Sequence, residues 1–307
     1  VGEMSSTSLE NCYRYGGEGE NELSMVFSFH HLKVDFVGNE KWVMVPYDFQ
    51  KLKDILFQWQ TKMEEHDAWN AVFWCNHDQP RVVSRFGDEG PYWKESAKML
   101  ATAIHGLRGT PYIYQGEELG MTNAGFTKIS QYRDVESLNH FRILQEKGLS
   151  ADNALRILGI HSRDNARTPM QWNDGRQAGF TKGEPWMEVN PNYRYINAQT
   201  ELRDEDSIFY YYRRLIGLRK QYDVIAYGDI RPVAREDSYV FAYKRTWKDE
   251  ELLVICNFYG RQISWKSEES LKGYEVLLGN YGENCLEENG ALLKPYECLV
   301  LYRKRGE

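Results

Sequence analysis

The stretch that most restricts what this chain can become is Ala71 to Arg81, where five apolar residues run directly into Asn76-His77-Asp78 and then Gln79-Pro80-Arg81. A short apolar run closed by a proline suits a strand buried on both faces, as in a parallel sheet. Polar side chains delivered at the carboxyl end of such a strand stand where α/β barrels keep their chemistry. Taken alone, the triplet would serve equally well to cap a turn.

The flanking chain has the rhythm of a barrel. Residues 4–19 are polar and glycine-rich and read as a loop. Leu23 to Phe29 alternates as a strand does and ends at His30-His31-Leu32-Lys33. From Asp48, a suitable N-cap, the residues Phe49, Leu52, Ile55, Leu56, Trp59 and Met63 fall at helical spacing. The strand into Asn76 follows. A second helix beginning near Pro91 places Trp93, Ala97, Leu100, Ala101 and Ile104 on one side before Gly106 and Gly109 end it. Thr110 to Tyr114 is a further short strand. A long polar insertion, residues 123–206, contains Arg163 to Trp172, and an insertion of that length is rarely idle. A last helix is expected from Ser207 to about Tyr222. From Val224 the period changes, and Tyr239–Tyr243, Leu252–Cys256, Tyr274–Leu278 and Cys298–Tyr302 read as short strands of an antiparallel β domain.

Charge and cysteine usage remove some classes of function. A formal net charge of −7 argues against a nucleic-acid partner, which would need a basic face. No apolar run approaches the roughly 18 residues of a membrane span, and no cleavable signal pattern opens the sequence, so the expected location is the cytoplasm. Cys12, Cys75, Cys256, Cys285 and Cys298 show no CxxC spacing and read as free thiols. No histidine spacing argues for a metal, and no cofactor is expected. Aromatic residues are abundant, with 9 Trp and 21 Tyr; flat rings suit stacking on sugars, although core packing accounts for most of them.

Phe73-Trp74-Cys75-Asn76-His77-Asp78-Gln79-Pro80-Arg81 resembles the fourth signature of the α-amylase superfamily of glycoside hydrolases, and Val1-Gly2-Glu3 resembles the third. The two lie 78 − 3 = 75 residues apart, which suits strands of one barrel. Gly109 to Glu118 and Arg163 to Trp172 are similar to the branch that contains oligo-1,6-glucosidases, dextran glucosidases and trehalose-6-phosphate hydrolases. Gly2-Glu3-Met4-Ser5-Ser6 and His30 to Asp35 resemble most the trehalose-6-phosphate hydrolase family; the oligo-1,6-glucosidases tend to read Gly-Glu-Thr and Phe-Glu-His there. The resemblance implies an α/β fold: the carboxyl-terminal half of a (β/α)8 barrel over residues 1–223, and an antiparallel β-sandwich domain over 224–307. Val1-Gly2-Glu3 reads as a strand already in progress, so earlier strands are expected either to have been cut away or to belong to another chain, a partner amino-terminal half.

The same resemblance implies retaining hydrolysis of a small phosphorylated disaccharide, trehalose 6-phosphate, to glucose and glucose 6-phosphate. That reaction needs one carboxyl to protonate the leaving oxygen and another to attack the anomeric carbon. Glu3 matches the acid. Asp78 matches the carboxylate that steadies transition-state charge, and His77 and Asn76 accompany it. Arg167 matches an arginine that reaches the same subsite, unless it forms a structural ion pair with Asp164 or Asp174. His30, His31 and Lys33 suit a phosphate, since histidines beside a dianion tend to gain protons and lysine supplies three donors. The family's nucleophile, an aspartate in a Gly-Phe-Arg-x-Asp context, has no match, so the isolated chain is expected to be inactive. Unphosphorylated oligo-1,6-glucosides as substrate, or a non-catalytic scaffold of amylase fold, remain the alternatives.

Overall fold

The computed structural model describes residues 1–306. Four short parallel strands form one sheet in chain order: β1 (Gly2–Met4), β2 (Val26–Ser28), β3 (Asn70–Val72) and β4 (Thr110–Pro111). Glu3 pairs with Phe27 and Phe27 with Ala71, so these three residues share a level and a face of the sheet. The opposite face belongs to helices. Val26 packs with Leu9 and Cys12 of α1 (Leu9–Gly16) and Met63 of α2 (Phe49–Glu65). Glu3, Phe27 and Phe73 therefore lie on the concave face, where Phe27 meets Phe73 and Tyr112 edge to face.

Several sequence-level boundaries shift. The expected loop of residues 4–19 contains α1, capped by Ser8, whose hydroxyl accepts from Asn11 N. The helix buries Leu9, Cys12 and Gly16, a stripe with two side chains only, too little for its period to show. The strand expected through Phe73-Trp74-Cys75 leaves the ladder at Val72, although all three residues stay buried. The fourth strand is two residues long, Thr110–Pro111, and just beyond it Tyr112 N still donates to the Val72 carbonyl at 2.8 Å. The insertion is an ordered body with α5 (Val135–Glu146) and α6 (Ala151–His161). Phe126, Tyr132, Leu144, Ile157, Leu158 and Met187 form its core, joined by Trp42 from the segment before α2.

After β3 come α3 (Val82–Phe86) and α4 (Trp93–His105), and the insertion closes with α7 (Ala198–Glu201). It is followed by α8 (Ile208–Gln221) and α9 (Asp223–Tyr227). The rest is β structure: β5 (Asp229–Val233), β6 (Val240–Trp247), β7 (Glu250–Asn257), β8 (Ile263–Lys266), β9 (Glu275–Gly279), β10 (Leu286–Glu287), β11 (Gly290–Leu293) and β12 (Cys298–Lys304). A five-stranded antiparallel sheet, order β5-β6-β7-β12-β9, faces a three-stranded one, β10-β11-β8. Between them lie Val240, Ala242, Leu253, Ile255, Trp265, Leu293, Leu299 and Leu301. The other face of the larger sheet presents Phe241, Tyr243, Leu252, Val254, Cys256 and Val300 to the same core as α2, α4 and α8. Alternation on these strands therefore separates two buried sides rather than core from solvent.

Arg245 closes this junction. It is fully buried and its guanidinium donates to the carbonyls of Gly106, Ile225, Gly228 and Asp229. Gly106 admits the contact because a Cβ there would come within 2.4 Å of the Tyr243 hydroxyl. All five cysteines are free thiols, as the spacing led us to expect.

Candidate active site

Asp78 sits in a loop beyond the carboxyl end of β3, and Asn76 shapes that loop: its Oδ1 accepts from Asp78 N at 2.8 Å. This is an Asx turn, so the Asn76 carbonyl oxygen braces its neighbour. His77 is the most exposed of the three, with Nε2 3.5 Å from Asp78 Oδ2. Arg167 reaches across from the insertion. Its Nη2 donates to Asp78 Oδ1 and its Nε to the His77 carbonyl at 2.8 Å. Neither Asp164 nor Asp174 is its ion-pair partner. Asp164 instead accepts from the backbone of Arg133 and Asp134.

A second arginine and a second carboxylate complete the cluster. Arg163 lies 3.6 Å from Asp78 Oδ1, 2.8 Å from Asp134 and 3.3 Å from Glu136, which also pairs with Lys41 at 3.2 Å. Arg167 Nη1 is 3.8 Å from Asp134. Two guanidiniums thus lie between an accessible carboxylate, Asp78, and a buried one, Asp134. Burial works to raise the Asp134 carboxyl, yet hydrogen bonds from Arg163 and Ser137 outweigh it and hold the group below the usual carboxylate range. Asp134 is fixed in turn as the N-cap of α5, accepting from Ser137 N and Oγ.

Glu3 is exposed on the concave face of β1, at the same end of the sheet as the Asp78 loop. No hydrogen bond or ion pair joins it to Asp78 among the described residues. The His30-His31-Lys33 group divides. Lys33 Nζ donates to the Ser5 carbonyl at 2.8 Å, tying the β2 loop to the segment after Glu3. His30 stacks on Trp59 and bonds Ser28, and its burial lowers its pKa. His31 is buried with Nε2 2.9 Å from the Phe73 carbonyl, and burial pushes its pKa down to about 4. Buried His31 therefore departs from the expectation of a ring that gains a proton beside an anion. A ring shut away from water keeps its neutral form.

Sequence reasoning missed Asp134, Glu136, Arg81 and Glu117. The first two are ordinary members of a polar insertion, and only the fold gathers them around Arg163. Arg81 and Glu117 belong to motifs already noticed, but their burial was not legible. Burial raises the Glu117 carboxyl to about 7, and its Oε1 accepts from the Tyr212 hydroxyl at 2.8 Å. No grouping of three His, Cys, Asp or Glu side chains suited to a metal occurs among the described residues. Nor is any helix among them long and apolar enough to cross a membrane.

A parallel sheet with carboxylates and arginines at its carboxyl end, followed by a β-sandwich, is the architecture of the carboxyl-terminal half of an amylase-type barrel, and the chain belongs to the α-amylase family. The model of the alpha amylase catalytic domain matches residues 1–228, and that of the alpha-amylase SusG C-terminal domain matches residues 240–300. The chain is similar to trehalose-6-phosphate hydrolase of Bacillus subtilis, 54% identical over 98% of this chain and 54% of that one. An oligo-1,6-glucosidase of Halalkalibacterium halodurans is 46% identical over 99% of this chain and 54% of its own length. The crystal structure of Bacillus licheniformis trehalose-6-phosphate hydrolase superposes with a TM-score of 0.96 at 52% identity, covering 99% of this chain and 56% of that one. The chain thus spans about half the length of the relatives it matches.

Proposed function

We propose that residues 1–307 supply the acid and charge-stabilising half of a retaining α-glycosidase acting on trehalose 6-phosphate. The observation that carries this reading is the Asp78–Arg167–Arg163–Asp134 arrangement at the carboxyl end of the sheet. In the proposed cycle Glu3 gives its proton to the glycosidic oxygen as the bond to the anomeric carbon breaks. Asp78, oriented by Arg167, stabilises the positive charge that spreads over the ring. A carboxylate from outside these residues attacks the anomeric carbon, and water later displaces it with Glu3 acting as base. Lys33, one strand over from Glu3, is the proposed phosphate contact. Its bond to the Ser5 carbonyl leaves two further ammonium protons for a ligand.

The experiment compares two proteins. The purified 307-residue chain should release no glucose from trehalose 6-phosphate. Residues 1–307 joined to the part of the Bacillus subtilis relative that the match leaves out should release it. Glucose from the first protein, or none from a folded form of the second, would defeat the reading. Preference of the joined enzyme for isomaltose would instead favour the oligo-1,6-glucosidase alternative.

A further inference from the structure

We infer that Arg81 is a positioning residue, assisted by Tyr114, that sets Arg167 against Asp78; this rests on the proposed role of those two groups. Arg81 is 1% exposed and stands three residues after Asp78, at the start of α3. Its backbone N–H donates to Asn123 Oδ1 at 2.9 Å, where the insertion begins. Its Nη1 donates to the Gln115 carbonyl at 2.6 Å, in the loop after β4, and its Nη2 to the Ala166 carbonyl at 3.4 Å. The Tyr114 hydroxyl donates to that same Ala166 carbonyl at 3.0 Å, with its ring 5.4 Å from the Arg81 guanidinium. The residue after Ala166 is Arg167, which returns to Asp78 and to the His77 carbonyl.

The contacts form a closed circuit: Asp78, along the chain to Arg81, across to Ala166, one residue to Arg167, and back to Asp78. Burying a guanidinium is costly, and its planar fork is what allows it to hold carbonyls of two separate loops at once. Neighbouring atoms leave no slack, for a Cβ on Gly116 would lie 3.0 Å from Arg81 Nη1 and 2.4 Å from Met121 Sδ. A guanidinium needed merely to fill the core would not be joined to the residue preceding Arg167. Nor would a second side chain, Tyr114, be bonded to the same oxygen.

The test is a double-mutant cycle in the joined enzyme. Arg81→Lys should lower kcat by about 100-fold, the scale expected when a catalytic group is displaced by about 1 Å, while KM moves less than about threefold. Arg167→Lys should act similarly, and the double variant should be no worse than the poorer single one, since residues in one chain of contacts are not additive. Multiplied losses would overturn the inference by showing that Arg81 acts independently of Arg167. An unchanged kcat in Arg167→Lys would show that the reading of the site itself fails. Tyr114→Phe, which removes one hydroxyl, guards against a misfolded lysine variant. In the 307-residue chain it should speed amide exchange at Arg167, whose N–H bonds the Asp164 carbonyl, by about tenfold while α4 stays protected. Equal acceleration in both segments, or none at Arg167, would refute the positioning role.

Discussion

Replacing Glu117 by glutamine should flatten the pH dependence of stability above about pH 5. The carboxyl is 4% exposed, Oε1 accepts from the Tyr212 hydroxyl, and Oε2 has no partner among the described residues. Burial, working against the hydrogen bond from Tyr212 and the charge of Arg81, raises its pKa from 4.5 to about 7. Between those values the folded chain holds a proton that the unfolded chain has released, so stability falls as pH rises. The group's contribution is complete below about pH 4.5 and lost above about pH 7. The interval, 7 − 4.5 = 2.5 pH units at about 1.36 kcal/mol each, amounts to about 3 kcal/mol, most of which falls between pH 5 and 8. Glutamine keeps the acceptor for Tyr212 and cannot titrate. Urea unfolding of both chains at pH 5, 6, 7 and 8 measures the difference directly. The native chain should lose about 2 to 3 kcal/mol more than the variant across that range. Parallel curves would mean that Glu117 is ionised throughout and that its environment is far more polar than its burial indicates.

In the joined enzyme, Glu3→Gln and Asp78→Asn should each lower turnover of trehalose 6-phosphate by several orders of magnitude. An aryl glucoside, whose leaving group needs little protonation, should restore the first step in Glu3→Gln alone; equal rescue in steady-state kinetics would show the two roles reversed. Lys33→Ala should raise KM for the phosphorylated substrate by roughly tenfold to a hundredfold, the loss of a contact of about 1.5 to 3 kcal/mol, and leave the aryl glucoside nearly unaffected. If both substrates suffered alike, Lys33 would be acting through Ser5. Arg245→Met should cost at least about 3 kcal/mol in chemical denaturation, because four carbonyls lose a charged donor in a dry interface; a smaller loss would mean that water enters to replace it.

Much of the frame was legible because its periods are simple. The α2 stripe from Phe49 to Met63 and its Asp48 cap were readable, and the cap is observed, accepting from Lys51 N. The parallel strands were found through their apolar runs but drawn too long, since pairing stops where the chain turns toward the site, not where hydrophobicity ends. Helix α1 went unread because only Leu9, Cys12 and the glycine Gly16 define its buried side. In the site, Asp78 and Arg167 were legible from the motifs that hold them. Asp134 was not, because nothing local distinguishes a carboxylate that buries itself to bind two arginines from any other acidic residue of the insertion. His31 was misjudged for a related reason: nothing local shows that it is buried against Phe73 and Trp74.

The larger sheet of the sandwich, apolar on both sides, has a consequence for how such chains can diversify. A module that touches its neighbour through a thin polar seam can be traded between lineages as a unit. Here one side of the sheet shares its core with α4 and α8, and Arg245 grips the carbonyls of Gly106 and Ile225. A foreign sandwich grafted after Tyr227 would meet the wrong surface. The exchangeable block is larger and discontinuous: the β strands together with residues 97–107 and 208–228. Successful recombinants among relatives should keep those segments from one parent, and limited proteolysis should find no easy cut between them.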